Sequence, residues 1–433
     1  MLGYYVDLAL RSLKRTPILT GLMVLAIALG IGASMTTLTV LRVLSGNPIP
    51  SKSSTLYFPQ IDPRDLFDYA RGVEPPRQVT WIDGMNLLRA TRADRQALMT
   101  GGNVAIQSTQ PNLDPFFEPA RFTTAGFFPM FDVQFQYGHS WSTTDDEDRA
   151  RVVVISHALN DRLFAGKDSV GQTLRLAGHE FRITGVLGDW RPNPQFYDLT
   201  RKSYNENEGV YVPLSTSQDV RFDHDGDVEC WGNGGGVRMN QNTPCVWLQF
   251  WVQLDTPGKA AAYKQFLIQY SEEQRASGRF QRPPNVRLRD VMQWLDYNGV
   301  VPKDVRLQTW LAFGFLLVCL VNTVGLMLAK FTRRQGELSV RRAMGASRRA
   351  LFGQLLVESG AVGLAGGIGG LLLALLGLSL VRHRPTEYAS LAHLDPAMLL
   401  ITFLLAIGAS LLSGVLPARR VSYVPPALQL KSE

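Results

Sequence analysis

Nothing in this chain can cradle a nucleotide phosphate. The Gly-x-x-x-x-Gly-Lys-Ser/Thr loop that does so is absent. Its nearest approach, AGKDS at 165–169, lacks a glycine five positions before Gly166, and Asp168 follows its Lys. Metal ligands are also scarce, with three cysteines and six histidines in 433 residues. His157 and His179 fall on an expected surface helix and a turn, where nothing nearby completes a metal set. DHDGD (223–227) has the composition of a calcium loop, but the spacing is wrong and no Glu stands at the required offset. It reads as a solvated acidic loop, and TTDDED (143–148) as a solvated turn. No nucleophile stands beside a base. Neither an enzyme nor a metal or cofactor site is expected in this chain.

Charge is missing from four stretches. Residues 18–41, 310–329 and 396–416 carry none, and 352–381 carries only Glu358, close to its start. Each is about 20 residues or longer, enough for a helix to cross roughly 30 Å of hydrocarbon. The first run is too long for the h-region of a cleaved signal peptide. Three further runs in the C-terminal third are too many for buried core helices. A mostly polar stretch separates the first run from the second. The fold class that follows is an α-helical membrane domain of four spans with a large mixed α/β domain inserted after the first.

The spans also lack a charged residue at their centres, which argues against a proton relay or ion pathway. Asn322 is the main mid-span polar group, a residue type that more often makes a helix–helix hydrogen bond. Small residues recur four apart: Ala26, Gly30 and Ser34; Gly363 and Gly367; Gly366 and Gly370; Ala406, Ser410 and Gly414. They let helices approach closely, within one chain or between two.

Thirteen Lys and Arg residues cluster in three segments. Arg11, Lys14 and Arg15 precede the first span. Lys330, Arg333, Arg334, Arg341, Arg342, Arg348 and Arg349 lie between the second and third, and Arg419, Arg420 and Lys431 follow the fourth. The positive-inside rule makes these segments cytoplasmic and places the large domain outside. The net charge of +7 is thereby a topology signal that needs no nucleic acid. Cys319 lies in the second span. Cys230 and Cys245 flank the Gly-rich CWGNGGGVRMNQNTPC in the exported domain. An oxidising compartment permits a disulfide there, with two free thiols as the alternative.

Along the chain, residues 1–17 read as an amphipathic interfacial helix, 18–44 as the first span and 45–305 as the external domain. The second span follows at 306–330, a cytoplasmic helix at 331–346 and the third span at 347–381. A short external loop (382–395), the fourth span (396–417) and a cytoplasmic tail (418–433) complete the chain. In the external domain, 150–164 reads as a strand and helix, and 172–190 as a hairpin. Residues 246–254 read as a strand, KAAAYKQFLIQYSEEQ as a helix and NVRLRDV as another strand, closing a split βαβ unit. Residues 193–244 read as long loops with little regular structure.

One stretch joins charge to the spans: ELSVRRAMGASRRALFGQLLVESG (337–360). Residues 330–344 suit a helix, with Glu337 and Arg341 four apart on one face. Gly345 suits a helix end that needs positive φ, and Ser347 suits an N-cap. The pattern describes a surface helix, a sharp turn and a rising span. Such a helix either rests on anionic lipid or docks a cytoplasmic protein.

RRQGELSVRRAMGASRRALFGQLLVES resembles the cytoplasmic loop of the FtsX-like permease superfamily, best known from MacB-type ABC transporters. The matching residues are Glu337, Arg341, Ala343, Gly345, Ala346, Gln354 and Glu358. ALGIGASMTTLTVLRVL is similar to the family's first span. Residues 122–141 and 150–187 resemble its periplasmic core domain, and LPARRVSYVPPALQLK resembles its C-terminal end. The resemblance implies a Porter-like part at about 50–120 and 246–300, with an inserted subdomain at about 121–245. It also implies an ATPase coupling site at Arg334, Glu337, Arg341, Arg342, Gly345, Ala346 and Glu358. The implied partners are a cytoplasmic ABC ATPase dimer that binds ATP and Mg, a second permease (identical or paralogous), and membrane lipid. A periplasmic adaptor and an outer-membrane duct complete the export route. The implied location is the bacterial inner membrane, with both termini cytoplasmic. MacB carries its ATPase on the same chain, whereas residue 1 here opens on the amphipathic helix, so a separate ATPase subunit is expected. Lipoprotein release, regulation of a periplasmic enzyme without transport, and sensing by a two-span receptor are the alternatives.

Overall fold

A computed structural model describes residues 11–12, 15–107, 114–201, 208–234, 239–301, 303–382 and 396–422. The expected amphipathic helix, the external loop and the C-terminal tail lie outside these residues, apart from Arg11, Ser12, 15–17, Arg382 and 418–422. The chain divides into two compact units. One is Gly46–Val300, and the other combines Met1–Ser45 with Val301–Glu433.

Among its described residues the second unit holds four helices long and apolar enough to cross a membrane. They are Pro17–Ser45, Lys303–Thr332, Arg348–Arg382 and Pro396–Ser422. A chain in hydrocarbon must satisfy its own backbone hydrogen bonds, and a long apolar run does so as a helix. Lipid gives apolar faces little reason to leave it, so close fit decides the packing. Met23, Ile27, Ile31 and Met35 form one fully buried stripe on the first span. A Cβ at Gly30 would stand 3.2 Å from Leu316 Cα and 3.3 Å from Cys319 Cβ, so this glycine sets the approach of the second span. Ser34 Oγ donates to the Ala312 carbonyl at 3.1 Å on the same seam, and Ala26 is partly buried. The third span is a wedge with two glycine faces. Gly366 and Gly370 meet Ile27 and Ile31 of the first span, and Gly363 and Gly367 meet Ser410 and Ala406 of the fourth. The small-residue pattern thus serves packing within the protomer.

The exported unit is mixed α/β. Its strands are β1 (Leu56–Gln60), β2 (Arg95–Gln107), β3 (Phe116–Thr123), β4 (Phe135–Gly138) and β5 (Val152–Ile155). Next come β6 (Thr173–Leu176), β7 (His179–Leu187), β8 (Val210–Pro213), β9 (His224–Asp225) and β10 (Glu229–Cys230). The last are β11 (Cys245–Val246), β12 (Gln249–Gln253) and β13 (Arg287–Asp290). Eleven form one sheet, whose main path runs β13-β1-β12-β2-β3-β8-β5-β7-β4, while β10 and β11 make a separate ribbon. The β3–β8 and β5–β7 pairs are parallel, and the others are antiparallel. Both faces are covered, so β5 reads VVVI without alternation: Val153 and Ile155 enter one core, Val152 and Val154 the other. Residues 257–276 form the helix between β12 and β13, which flank β1 as in a split βαβ unit. The 172–190 hairpin turns at Ala177-Gly178.

Three expectations change. Residues 193–244 hold β8, buried at all four positions, and a helix at Leu214–Asp219. The short run VYVP, set among polar residues, gave no periodic signal. TTDDED is not a free turn: Thr143–Glu147 is a helix whose capping box pairs Ser142 with Asp145. Asp146 accepts from Ala125 N at 2.7 Å and Trp141 Nε1 at 2.8 Å, and burial pushes its carboxyl up to about 6. The helix expected from 330 to 344 is broken. The second span runs on to Thr332, and a separate helix spans Gln335–Ala343.

Candidate functional site

The break places a short helix across the ends of the spans. Its C-terminus closes through two backbone bonds, Gly345 N to Arg342 O and Ala346 N to Arg341 O, both 3.0 Å. This pattern needs a residue at positive φ, and Gly345 sits at φ 98°. Ser347 then accepts from Ala350 N at 3.1 Å as the N-cap of the third span. The join between surface helix and span is therefore a tight, hydrogen-bonded turn.

Two carboxylates hold the helix in place. Glu358 is 2% exposed and lies on the third span. Its Oε1 meets Lys330 Nζ at 2.7 Å, and its Oε2 meets Arg334 Nη1 at 3.1 Å. Ser12 Oγ also donates to Glu358, Arg334 reaches Ser12, and Lys330 Nζ lies 3.4 Å from Thr20 Oγ1. Glu337, on the short helix, meets Arg341 Nη2 at 2.8 Å, and Arg334 and Arg15 at 3.3 Å each. Arg341 Nη1 reaches Gln354 Oε1 at 3.0 Å. Arg334 bridges the two carboxylates. The cluster ties residues before and in the first span to the second span, the short helix and the third span.

Magnitudes rank these contacts. The exposed Arg15–Glu337 pair is worth about 0–1 kcal/mol. Removing one partner of a sealed pair such as Lys330–Glu358 costs about 3–5 kcal/mol, because the other charge is left buried alone. The inner pair is thus the anchor, and the outer pairs orient the helix.

Of the coupling residues read from the sequence, Arg334, Glu337, Arg341 and Glu358 come together in this cluster. Gly345 is the turn, and Ala346 packs partly buried against the membrane core. Arg342 is partly buried at the helix end. Sequence reasoning counted Lys330 and Arg15 only as topology charges and passed over Ser12 and Thr20. Lys330 carried a signal, being an ionisable residue at the end of an apolar run. The other three touch the cluster only through the fold.

The cluster faces inward, and the opposite face of the short helix is bare. Gly336, Val340, Ala343 and Met344 are exposed at helical spacing, Val340 by 50% and Met344 by 76%. This apolar strip is bordered by exposed Arg333, Arg348 and Arg349.

In the exported unit, Cys230 and Cys245 are joined as a disulfide across the β10–β11 ribbon. Beside the ribbon is a cavity of about 330 Å³ lined by Arg64, Pro75, Pro76, Gln78, Glu229 and Tyr297 among others. Arg64 in its lining is paired with Asp62 at 2.8 Å and with Glu229 at 3.0 Å. Arg121 is fully buried between Asp198 (2.6 Å) and Glu208 (2.5 Å). Tyr197 and Gln195 add hydrogen bonds to Glu208, both at 2.6 Å. Arg121 Nε has no hydrogen-bond partner among the described residues, and the ion pairs through its two Nη atoms fasten the sheet to the segments beside it. Among the described residues, no group of three or more His, Cys, Asp and Glu could hold a metal ion.

A family model described as MacB-like periplasmic core domain matches residues 20–269. One described as FtsX-like permease C-terminal matches residues 310–426. The macrolide export ATP-binding/permease protein MacB of Hyphomonas neptunium is 24% identical over 440 residues, covering 99% of this chain and 60% of that protein. The protein of the same name from Brucella abortus is 35% identical over 122 residues, 27% of this chain and 18% of that protein. The crystal structure of the periplasmic region of MacB from Actinobacillus actinomycetemcomitans aligns at 15% identity and a TM-score of 0.36. It covers 57% of this chain and 94% of that one. The chain spans 60%, 43% and 42% of the length of its relatives from Hyphomonas, Bdellovibrio and Marinobacter.

Proposed function

Because this chain belongs to the MacB-type, FtsX-like permeases, we propose that it is the transmembrane permease of an ABC exporter in a bacterial inner membrane. In this reading the helix Gln335–Ala343 docks a cytoplasmic ABC ATPase, which binds ATP and Mg. Both termini are cytoplasmic, and the exported unit is periplasmic. Two permeases pair, and lipid covers the apolar outer faces around Leu22, Leu25, Leu372 and Leu376.

One observation carries the reading: the short helix is locked inward by charge and bare outward. A helix fixed to three spans through Glu337 and Glu358 cannot tilt without moving them. Its apolar strip at Val340 and Met344 offers area to a partner, and Arg333, Arg348 and Arg349 suit an acidic rim on it. ATP-driven closure of the ATPase dimer then reaches the spans as a rigid push, and the exported unit moves with the two spans that flank it in sequence. An adaptor and an outer-membrane duct would carry the expelled substrate onward.

The test is co-purification with an ABC ATPase co-expressed from the same genome. Val340→Asp/Met344→Glu should lose the ATPase while the membrane protein stays folded. Retention of the ATPase by this variant at wild-type level would remove the docking assignment.

A further inference from the structure

Asn322 is exposed near the middle of the second span. It makes no hydrogen bond to any described residue. Among the described residues of the four apolar runs, it is the one exposed polar side chain; Ser34, Thr323, Ser359, Thr402 and Ser410 are all buried. A primary amide facing hydrocarbon forfeits its hydrogen bonds, at a cost of several kcal/mol on transfer scales. Its native surroundings must therefore supply a donor and an acceptor.

The register indicates the source. Leu311, Phe315, Val318, Asn322, Gly325 and Ala329 are spaced four, three, four, three and four apart, and all six are exposed. That spacing is the a/d repeat of a left-handed coiled coil, with Asn322 at an a position. Gly325 has open space where a Cβ would stand, so a partner backbone can come close there. A second stripe, Trp310, Leu317 and Val321, lies about 100° away round the helix. It is exposed by 77%, 63% and 63% and is bulky and wholly apolar, as suits lipid.

We propose that this seam is where the second span meets the same span of a second copy of this chain, with the two Asn322 amides bonded to each other across a two-fold axis. An amide carries both donor and acceptor, so it complements itself, and a two-fold contact places residue i against its own copy. The proposal rests on the reading that two permeases pair, and it selects identical partners through this face.

The test uses the full-length chain in native membranes, with Cys319→Ser as background. Single cysteines are placed at Val318, Asn322 and Gly325 on the seam, and at Leu317 and Val321 off it. Oxidation should give a covalent dimer from the seam positions at several times the yield from the others. Asn322→Leu should weaken self-association in detergent by about threefold to tenfold, and Asn322→Gln should restore much of it. Because Asn322 is exposed, neither change should unfold the protomer. Uniform or absent cross-linking overturns the seam, as does cross-linking to a different permease only. Co-purification of the ATPase is scored separately: its failure with an intact seam removes the transporter reading alone, and its success with a failed seam removes this inference alone.

Discussion

Lys330 Nζ lies 2.7 Å from Glu358 Oε1, and the two side chains are 1% and 2% exposed. The pair joins the end of the second span to the start of the third, where the surface helix enters and leaves. A buried ion pair adds little net stability but is costly to break. Glu358→Gln should destabilise the membrane unit by about 3 kcal/mol, and Lys330→Met/Glu358→Leu should cost less than either single change. Thermal unfolding in detergent measures both. A double variant as damaged as the sum of the singles would mean that the two charges act independently.

Arg121 should behave in the same way in the exported unit. Asp198 and Glu208 both depend on it. Arg121→Met leaves two buried carboxylates unpaired and should cost at least about 3 kcal/mol. Arg121→Lys should not restore full stability, since one ammonium cannot reproduce the guanidinium fork. Denaturant unfolding followed by tryptophan fluorescence reports this. A silent Arg121→Met would show the cluster to be hydrated in solution.

Asp146 gives a pH dependence of known sign. Its carboxyl titrates at about 6 when folded against 3.8 as the reference, mainly through burial. The folded state holds this proton more tightly. The stability it contributes is complete below about pH 3.8 and is lost as pH rises through about 6. Asp62, Glu74 and Asp94 shift downward through their Arg and Lys partners and so oppose it in the whole protein. Comparison with Asp146→Asn isolates the effect. The variant should gain roughly 2 kcal/mol relative to wild type between about pH 4 and pH 7. A difference that does not change with pH rules the shift out.

The Cys230–Cys245 bond closes a loop with a sequence separation of 15. Such a loop is worth about 3 kcal/mol in chain entropy. Cys230→Ser/Cys245→Ser should lower the unfolding midpoint and expose 231–244 to protease. Thiol titration of the denatured wild type should find one free thiol, Cys319; three would mean that the bond does not form in the cell.

The four long helices, the mixed α/β domain and the short helix after the second span were legible because long apolar runs and a Gly-then-Ser stop–start signal are local. The cluster was half legible. Glu337 and Arg341 are four apart on one helix, so spacing alone pairs them. Lys330 and Glu358 lie on different spans, and their pairing arises only when the third span packs against the second. β8 was hidden for a related reason: four buried residues in a polar stretch form a strand because β3 and β5 flank them, which no local pattern records. Asn322 was visible as a polar residue, but only the packed bundle reveals that it faces outward.

The most direct measurement places a photo-cross-linking amino acid at Met344 in the full-length chain, co-expressed with the ABC ATPase used for co-purification. A matched control sits at Leu380, exposed at the far end of the third span. Capture of the ATPase from Met344 and not from Leu380, with a yield that changes when ATP is replaced by a non-hydrolysable analogue, is the expected result. No capture from Met344, with the ATPase present and the membrane protein folded, would contradict docking on this helix and leave its arginines as lipid anchors.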